Sequence, residues 1–180
     1  MVKVVIAPGN GCVGDLSDCM WYGWIKQSVG KAGIECVLTE FPDPIGAHEN
    51  VWLPFMRDQL NCDENTIVIG HSSGAVASMR LLENVKLAGV VLVSTYHSDL
   101  GDENEAESGY FNRPWNWKAI RDNAGFIVQF HSKNDHLVPV EEARYVHEQL
   151  QSTYIEHDRS GHFQMDEFPE LLQVILNRIK

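Results

Sequence analysis

Residues 66–74 read TIVIGHSSG, and the fold turns on this stretch. Thr66–Ile69 is a short, β-rich, apolar run of the kind found in strands covered on both faces. It is followed at once by Gly70-His71-Ser72-Ser73-Gly74, a GxSxG pattern, and then by a helix-like segment. A serine at the tip of a sharp strand–turn–helix sits on strained backbone that lifts its Oγ clear of the sheet. Small residues are needed two before and two after it, because side chains there would clash across the turn. The plainer alternative is a glycine-rich turn with a serine helix cap. Ser73 is the alternative nucleophile, but it lacks the symmetric glycine spacing.

Working outward, similar runs recur at Val2–Ala7, Glu35–Leu38, Ala88–Val93, Phe126–Phe130 and Thr153–Glu156. Helical patterns separate them, at roughly Asp18–Lys31, Ala47–Gln59, Gly74–Glu83, Val140–Gln149 and Asp166–Arg178. Asp18 and Ser72 are the expected helix starts, and Gly33 and Asn84 the expected stops. This alternation predicts an α/β fold, a mostly parallel sheet of about six strands with helices on both faces. The site then lies at the carboxyl ends of the strands. With 180 residues and no linker or repeat, residues 1–180 are read as one domain. The stretch between strands four and five, STYHSDLGDENEAESGYFNRPWNWKAI, is too long for a plain loop. It is expected to be functional or to carry a short helix of its own.

Composition narrows the class of function. Hydrophobic residues make up 44% and charged residues 22%, which excludes a disordered chain or a membrane span. The net charge of −11 would repel phosphate backbones and anionic lipid, so neither nucleic acid nor membrane is an expected partner. Cys12, Cys19, Cys36 and Cys62 form no CxxC pair and no Cys/His metal spacing, so no metal is expected. The opening MVKVVIAPG is too short an apolar run for a secretory signal. The chain is read as cytoplasmic, with free thiols.

A serine nucleophile needs a base, and the base needs an acid that fixes its tautomer. In this architecture the chain order is Ser, then Asp or Glu, then His. Asp135 follows strand five and His162 follows strand six, so both emerge on the edge that carries Ser72. Asp158 is the runner-up acid. Among the other histidines, His131 and His136 could line the site. His157 reads as structural, and His48, His97 and His147 read as surface. The oxyanion donors are expected to be the backbone N–H groups of Ser73 and Asn10. The loop holding Asn10, Gly9-Asn10-Gly11-Cys12-Val13-Gly14, is also a formal GxGxxG. A dinucleotide fingerprint would need a helix to open at those glycines, whereas the helix is expected near Asp18. No cofactor is therefore expected.

Three further features stand out. The long insertion is rich in aromatics, and Tyr110, Phe111, Trp115 and Trp117 are candidates to wall a substrate pocket over Ser72. It is also acidic, with Asp99, Asp102, Glu103, Glu105 and Glu107 forming either a solvated loop or a cation-attracting rim. Finally, Leu60-Asn61-Cys62-Asp63-Glu64 matches LxCxE, the short signature that docks into retinoblastoma-type pocket proteins. It joins a helix end to a buried strand, so Leu60 and Cys62 are expected to pack inward.

At the segments PGNG, WYGW, FPDPI, VWLPFM, LNCDE, IVIGHSSGA, SDLGDENE, SGYF and RPWNW the chain resembles the retinoblastoma-binding protein 9 family of small serine hydrolases. The resemblance implies a compact α/β-hydrolase fold trimmed of its first strands, and a triad falling on Ser72, Asp135 and His162. It also places the family's LxCxE segment on Leu60, Cys62 and Glu64. The expected function is hydrolysis of a small-molecule or short-peptide acyl substrate. The alternative is an interaction module that binds a pocket protein through LxCxE.

Overall fold

The apolar runs of the sequence become six parallel strands. They are β1 (Lys3–Ala7), β2 (Glu35–Val37), β3 (Thr66–His71), β4 (Gly89–Val93), β5 (Ile127–Ser132) and β6 (Thr153–His157), arranged in the order β2-β1-β3-β4-β5-β6. The structure is a computed structural model and describes residues 1–179. Registers such as Ala7 opposite Gly70, His71 opposite Val93 and Ser132 opposite His157 bring the strands' carboxyl ends to one edge.

Alternation along each strand builds two cores. Val5 and Ala7 of β1, Val68 of β3, and Val90 and Leu92 of β4 face one side. Val4, Ile6, Ile67, Ile69, Val91 and Val93 face the other. The first side is covered by α2 (Glu49–Pro54), α3 (Ser73–Leu82), α5 (Trp117–Asn123) and α6 (Val140–Leu150). The second is covered by α1 (Tyr22–Lys31) and α7 (Pro169–Arg178). The helix after β1 and the helix after β3 thus lie on opposite faces. A crevice therefore opens between the ends of these two adjacent strands.

Two sequence expectations are corrected here, and the short helix expected in the insertion is present. Asp18 does not start the first helix. It ends a 3₁₀ turn (Leu16–Asp18) capped by Asp15, and α1 begins only at Tyr22 because Met20 takes a left-handed φ of 49°. No helix therefore opens at the glycines of the first loop. The segment expected at Ala47–Gln59 begins as α2 and changes at Pro54, which lacks an N–H. The chain continues as a π-helical turn over Phe55–Gln59. The long insertion carries α4 (Glu103–Glu107) as well as the start of α5.

The LxCxE segment is coiled, not extended. Leu60 is near-helical and packs on the core, Asn61 is left-handed at φ 49°, and Cys62 is 4% exposed. Glu64 alone of the three motif residues is exposed. Lys3 Nζ donates to the carbonyls of Leu60 (2.7 Å) and Asn61 (3.0 Å), tying the segment to β1. Pocket-protein docking through this segment has no support in its conformation, which presents no extended strand for a partner to grip. Among the described residues no helix is long and apolar enough to cross a membrane. No group of three or more His, Cys, Asp or Glu side chains among them could hold a metal ion.

Candidate active site

The turn between β3 and α3 is strained at one residue. Ser72 has φ 54° and ψ −118°, a region that L-residues rarely occupy. Both flanking glycines are required by close approach. A Cβ on Gly70 would lie 2.6 Å from Ala75 Cα, and one on Gly74 would lie 2.1 Å from the Ala7 carbonyl oxygen. The elbow is thus wedged against β1, with backbone rather than flexible side chains as the obstacle. Gly74→Ala is expected to destabilise the fold by about 1–3 kcal/mol through overpacking, read as a lowered denaturation midpoint with an unchanged slope.

Asp135 and His162 meet across the ends of β5 and β6. His162 Nδ1 lies 3.0 and 2.9 Å from the two carboxylate oxygens of Asp135. The Asp135 side chain is fully buried and that of His162 nearly so. Oδ1 of Asp135 also accepts from the backbone N–H groups of Leu137 (2.9 Å) and Val138 (3.0 Å). Burial alone would raise this carboxyl's pKa. The His162 ring and the two N–H donors outweigh it and hold the pKa at about 2. A carboxylate only accepts, so in the neutral His162 ring Nδ1 carries the proton and Nε2 keeps its lone pair. The loop itself is pinned by Asn134 Oδ1, which accepts from Gly161 N–H at 2.8 Å, and by left-handed backbone at Gly161 and Phe163.

Ser72 and His162 line the same small cavity of about 90 Å³, with Gly9, Asn10, Cys12, Met20, His71, Leu137 and Gln164. No hydrogen bond joins the two side chains in this state. Ser72 shares a second cavity with the buried Tyr96, whose hydroxyl lies 3.3 Å from Ser73 Oγ. Ser73 opens α3, and the first N–H groups of a helix have no intrahelical acceptor. Asn10 is exposed and lines the cavities on both sides of Ser72.

The runner-up acid is elsewhere. Asp158 is a solvent-side partner of Lys133 at 2.7 Å, with its side chain 79% exposed. His157 bridges Ser160 (2.7 Å) and Glu170 (2.9 Å), a structural role. His131 is buried and lies 3.1 Å from the Val138 carbonyl, behind Asp135 rather than in the cavity. His136 sits 6.3 Å, ring to ring, from His162.

The larger cavity at Ser72, about 440 Å³, is walled by a different part of the insertion than its aromatics suggest. Its lining is Asn10, Ile45, Ser72, Tyr96, Leu100, Asp102, Asn104, Glu105, Leu137 and Val138. Tyr110, Phe111, Trp115 and Trp117 line neither cavity. They pack against the core around Arg80, a fully buried arginine of α3. Its guanidinium sits 3.7 Å over the Trp115 ring and donates to the carbonyls of Tyr110, Arg113 and Pro114, while Trp115 stacks on Trp117. These aromatics therefore bolt the insertion down, and its acidic stretch is left facing Ser72. The acid run is visible in the sequence, but no spacing distinguishes Asp102 and Glu105 from their solvated neighbours. Leu137 and Val138 could have been inferred from their place directly after Asp135.

A strained serine elbow, an imidazole oriented by a buried carboxylate and an adjoining cavity form the setting for acyl transfer. The serine hydrolase family model matches residues 4–175. The chain is 48% identical over 174 residues to the serine hydrolase RBBP9 of Rattus norvegicus, covering 96% of this chain and 93% of that protein. It is 27% identical over 155 residues to the YdeN protein of Bacillus subtilis, covering 82% of this chain and 80% of that one. The crystal structure of the ydeN gene product from B. subtilis superposes with a TM-score of 0.89 at 23% identity, covering 99% of both chains. The parallel sheet with its serine elbow is a compact α/β-hydrolase fold, and the chain belongs to the serine hydrolase family.

Proposed function

We propose that this serine hydrolase cleaves a small ester, thioester or amide through an acyl-enzyme on Ser72. The observation that carries the reading is a strained Ser72 lining the same cavity as His162, whose Nδ1 is held by Asp135. Ser72 Oγ attacks the carbonyl carbon as Nε2 takes its proton. The oxyanion is met by the N–H groups of Ser73 and Asn10, where charge appears only in the transition state. Nε2 then gives the proton to the leaving group as its bond to the carbonyl carbon breaks. Water, deprotonated by the same Nε2, attacks the acyl carbon, and Ser72 leaves with the proton. A fluorophosphonate probe tests this without a substrate. It should label Ser72, located by peptide mapping, and labelling confined to another residue would sink the reading.

The cavity size suits a small molecule or short peptide rather than a polymer. Its acidic wall favours a substrate carrying a positive charge near the scissile carbonyl. Burial raises the pKa of the Glu105 carboxyl, so a cationic substituent would be drawn there to stabilise its charged form. Glu105→Gln is expected to raise KM for an amine-bearing ester about tenfold while leaving a neutral ester of the same shape within about twofold. Equal changes for both esters would remove the charge argument.

A further inference from the structure

His71 is the residue before the candidate nucleophile, and its ring is wholly buried. Its two nitrogens face different partners. Nε2 lies 2.8 Å from the backbone carbonyl oxygen of His162, and Nδ1 lies 2.6 Å from the Tyr22 hydroxyl. A carbonyl oxygen can only accept, so the proton of the neutral ring must be on Nε2. Nδ1 is then an acceptor, and the Tyr22 hydroxyl must donate to it. With its proton spent, the Tyr22 oxygen accepts, and Gly9 N–H donates to it at 3.1 Å. With a neutral His71 ring, the bonds among Gly9, Tyr22, His71 and His162 admit one arrangement of protons.

We propose that Tyr22 and His71 are positioning residues of the hydrolytic site. They form a one-way hydrogen-bond chain, Gly9 N–H to Tyr22, Tyr22 O–H to His71, and His71 Nε2–H to the His162 carbonyl. The chain fixes the loop bearing Asn10 and the loop bearing His162 against the elbow that bears Ser72. The inference rests on the reading of Ser72, Asp135 and His162 given above.

The geometry explains why three loops that share no sequence neighbourhood keep one spacing. Gly9 lies against the elbow, and a Cβ there would meet Ser72 Cβ at 3.5 Å and His71 Nδ1 at 3.8 Å. Trp21, the neighbour of Tyr22, donates from Nε1 to the Phe163 carbonyl at 2.9 Å. Two successive carbonyls of the His162 loop are thus held from the start of α1, one directly and one through His71. A charge on His71 would reverse the Tyr22 bond and set a cation beside His162. Burial first, and then the nearby His162, bring the His71 pKa down to about 3, so the ring stays neutral.

Two measurements test the chain. The first is ¹⁵N NMR of the wild-type protein, which reads the His71 tautomer without any turnover. Nε2 should be protonated and Nδ1 bare, with no titration between about pH 5 and 9. A protonated Nδ1, or a ring that titrates in that range, overturns the proposal. The second is kinetic, on a p-nitrophenyl ester. Tyr22→Phe should lower kcat about tenfold with KM within about twofold, because a displaced catalytic group costs rate rather than binding. The amide nitrogen of a glutamine can occupy the place of Nε2. His71→Gln should therefore keep kcat at least about tenfold above His71→Leu, at thermal midpoints within a few degrees of each other. Tyr22→Phe at wild-type kcat, or Gln and Leu variants equally impaired, would assign the cluster a packing role alone. The phosphonate probe separates the two levels. Labelled Ser72 with unaffected Tyr22→Phe turnover defeats the positioning role only, whereas a wild-type protein that takes no label at Ser72 defeats both.

Discussion

Ser72→Ala is expected to lower turnover by roughly 10⁴-fold or more and to abolish phosphonate labelling, while the protein remains folded. The size of the effect follows from what the hydroxyl does. Without Oγ there is no acyl-enzyme, and only oxyanion stabilisation and substrate binding remain to assist direct attack by water. The fold should survive because alanine meets the same backbone demand as serine at φ 54°, and the elbow is held by Gly70, Gly74 and the Ser72 N–H bond to the Val93 carbonyl at 2.9 Å. Ser73→Ala is the control. It removes the hydroxyl 3.3 Å from Tyr96 but keeps the backbone N–H, so labelling should persist. Labelling that survives in Ser72→Ala and disappears in Ser73→Ala would move the nucleophile by one residue. It would also leave the strained geometry of Ser72 without a purpose.

Much of the fold is legible in the sequence because both faces of the sheet are covered. Runs such as VVIA at 4–7 and VVLV at 90–93 are apolar at every position, and such runs belong in a parallel sheet. The elbow is legible because two glycines at fixed offsets have a steric cause that depends only on local backbone. What fails to show is decided by partners far apart in the chain. The start of α1 is set by the left-handed turn at Met20, which no residue type signals. The wall of the cavity is decided by Arg80, an arginine that local pattern would place on a helix surface. Its hydrogen bonds to the carbonyls of Tyr110, Arg113 and Pro114 draw that segment onto it and carry the aromatic side chains away from Ser72. The role of His71 is hidden for the same reason. Its partners, Tyr22 and His162, come from opposite ends of the chain, and only the folded crevice brings them together.

Asp135→Asn is expected to reduce kcat by about 10³- to 10⁴-fold, and Asp158→Asn to leave it within about twofold. The reason lies in which end of an asparagine would face His162. The N–H groups of Leu137 and Val138 both point at Oδ1 of Asp135, and only an oxygen can accept them. The substituted carboxamide would therefore keep its oxygen there and turn its NH₂ toward His162 Nδ1. Oδ1, which already takes two N–H groups, would be the one acceptor left to Nδ1–H, and the NH₂ at the Oδ2 position would oppose it, so the ring would favour its proton on Nε2 and lose the lone pair that takes the proton from Ser72. Binding would be little changed, and the loss should fall on kcat rather than KM. Stability carries a second signature. The folded carboxyl sits at about 2, below its usual value near 4, so it stabilises the wild type fully above that usual value. The contribution is lost as pH falls from about 4 through about 2, and an asparagine has nothing to lose. The stability of the wild type relative to Asp135→Asn should therefore fall across that window, in urea titrations at stepped pH. A difference that stays flat from about pH 5 to about pH 2 would mean that Asp135 is not held as an ion against His162. If Asp158→Asn proved the more damaging change, the acid would have to be reassigned to a residue that now faces Lys133 and solvent.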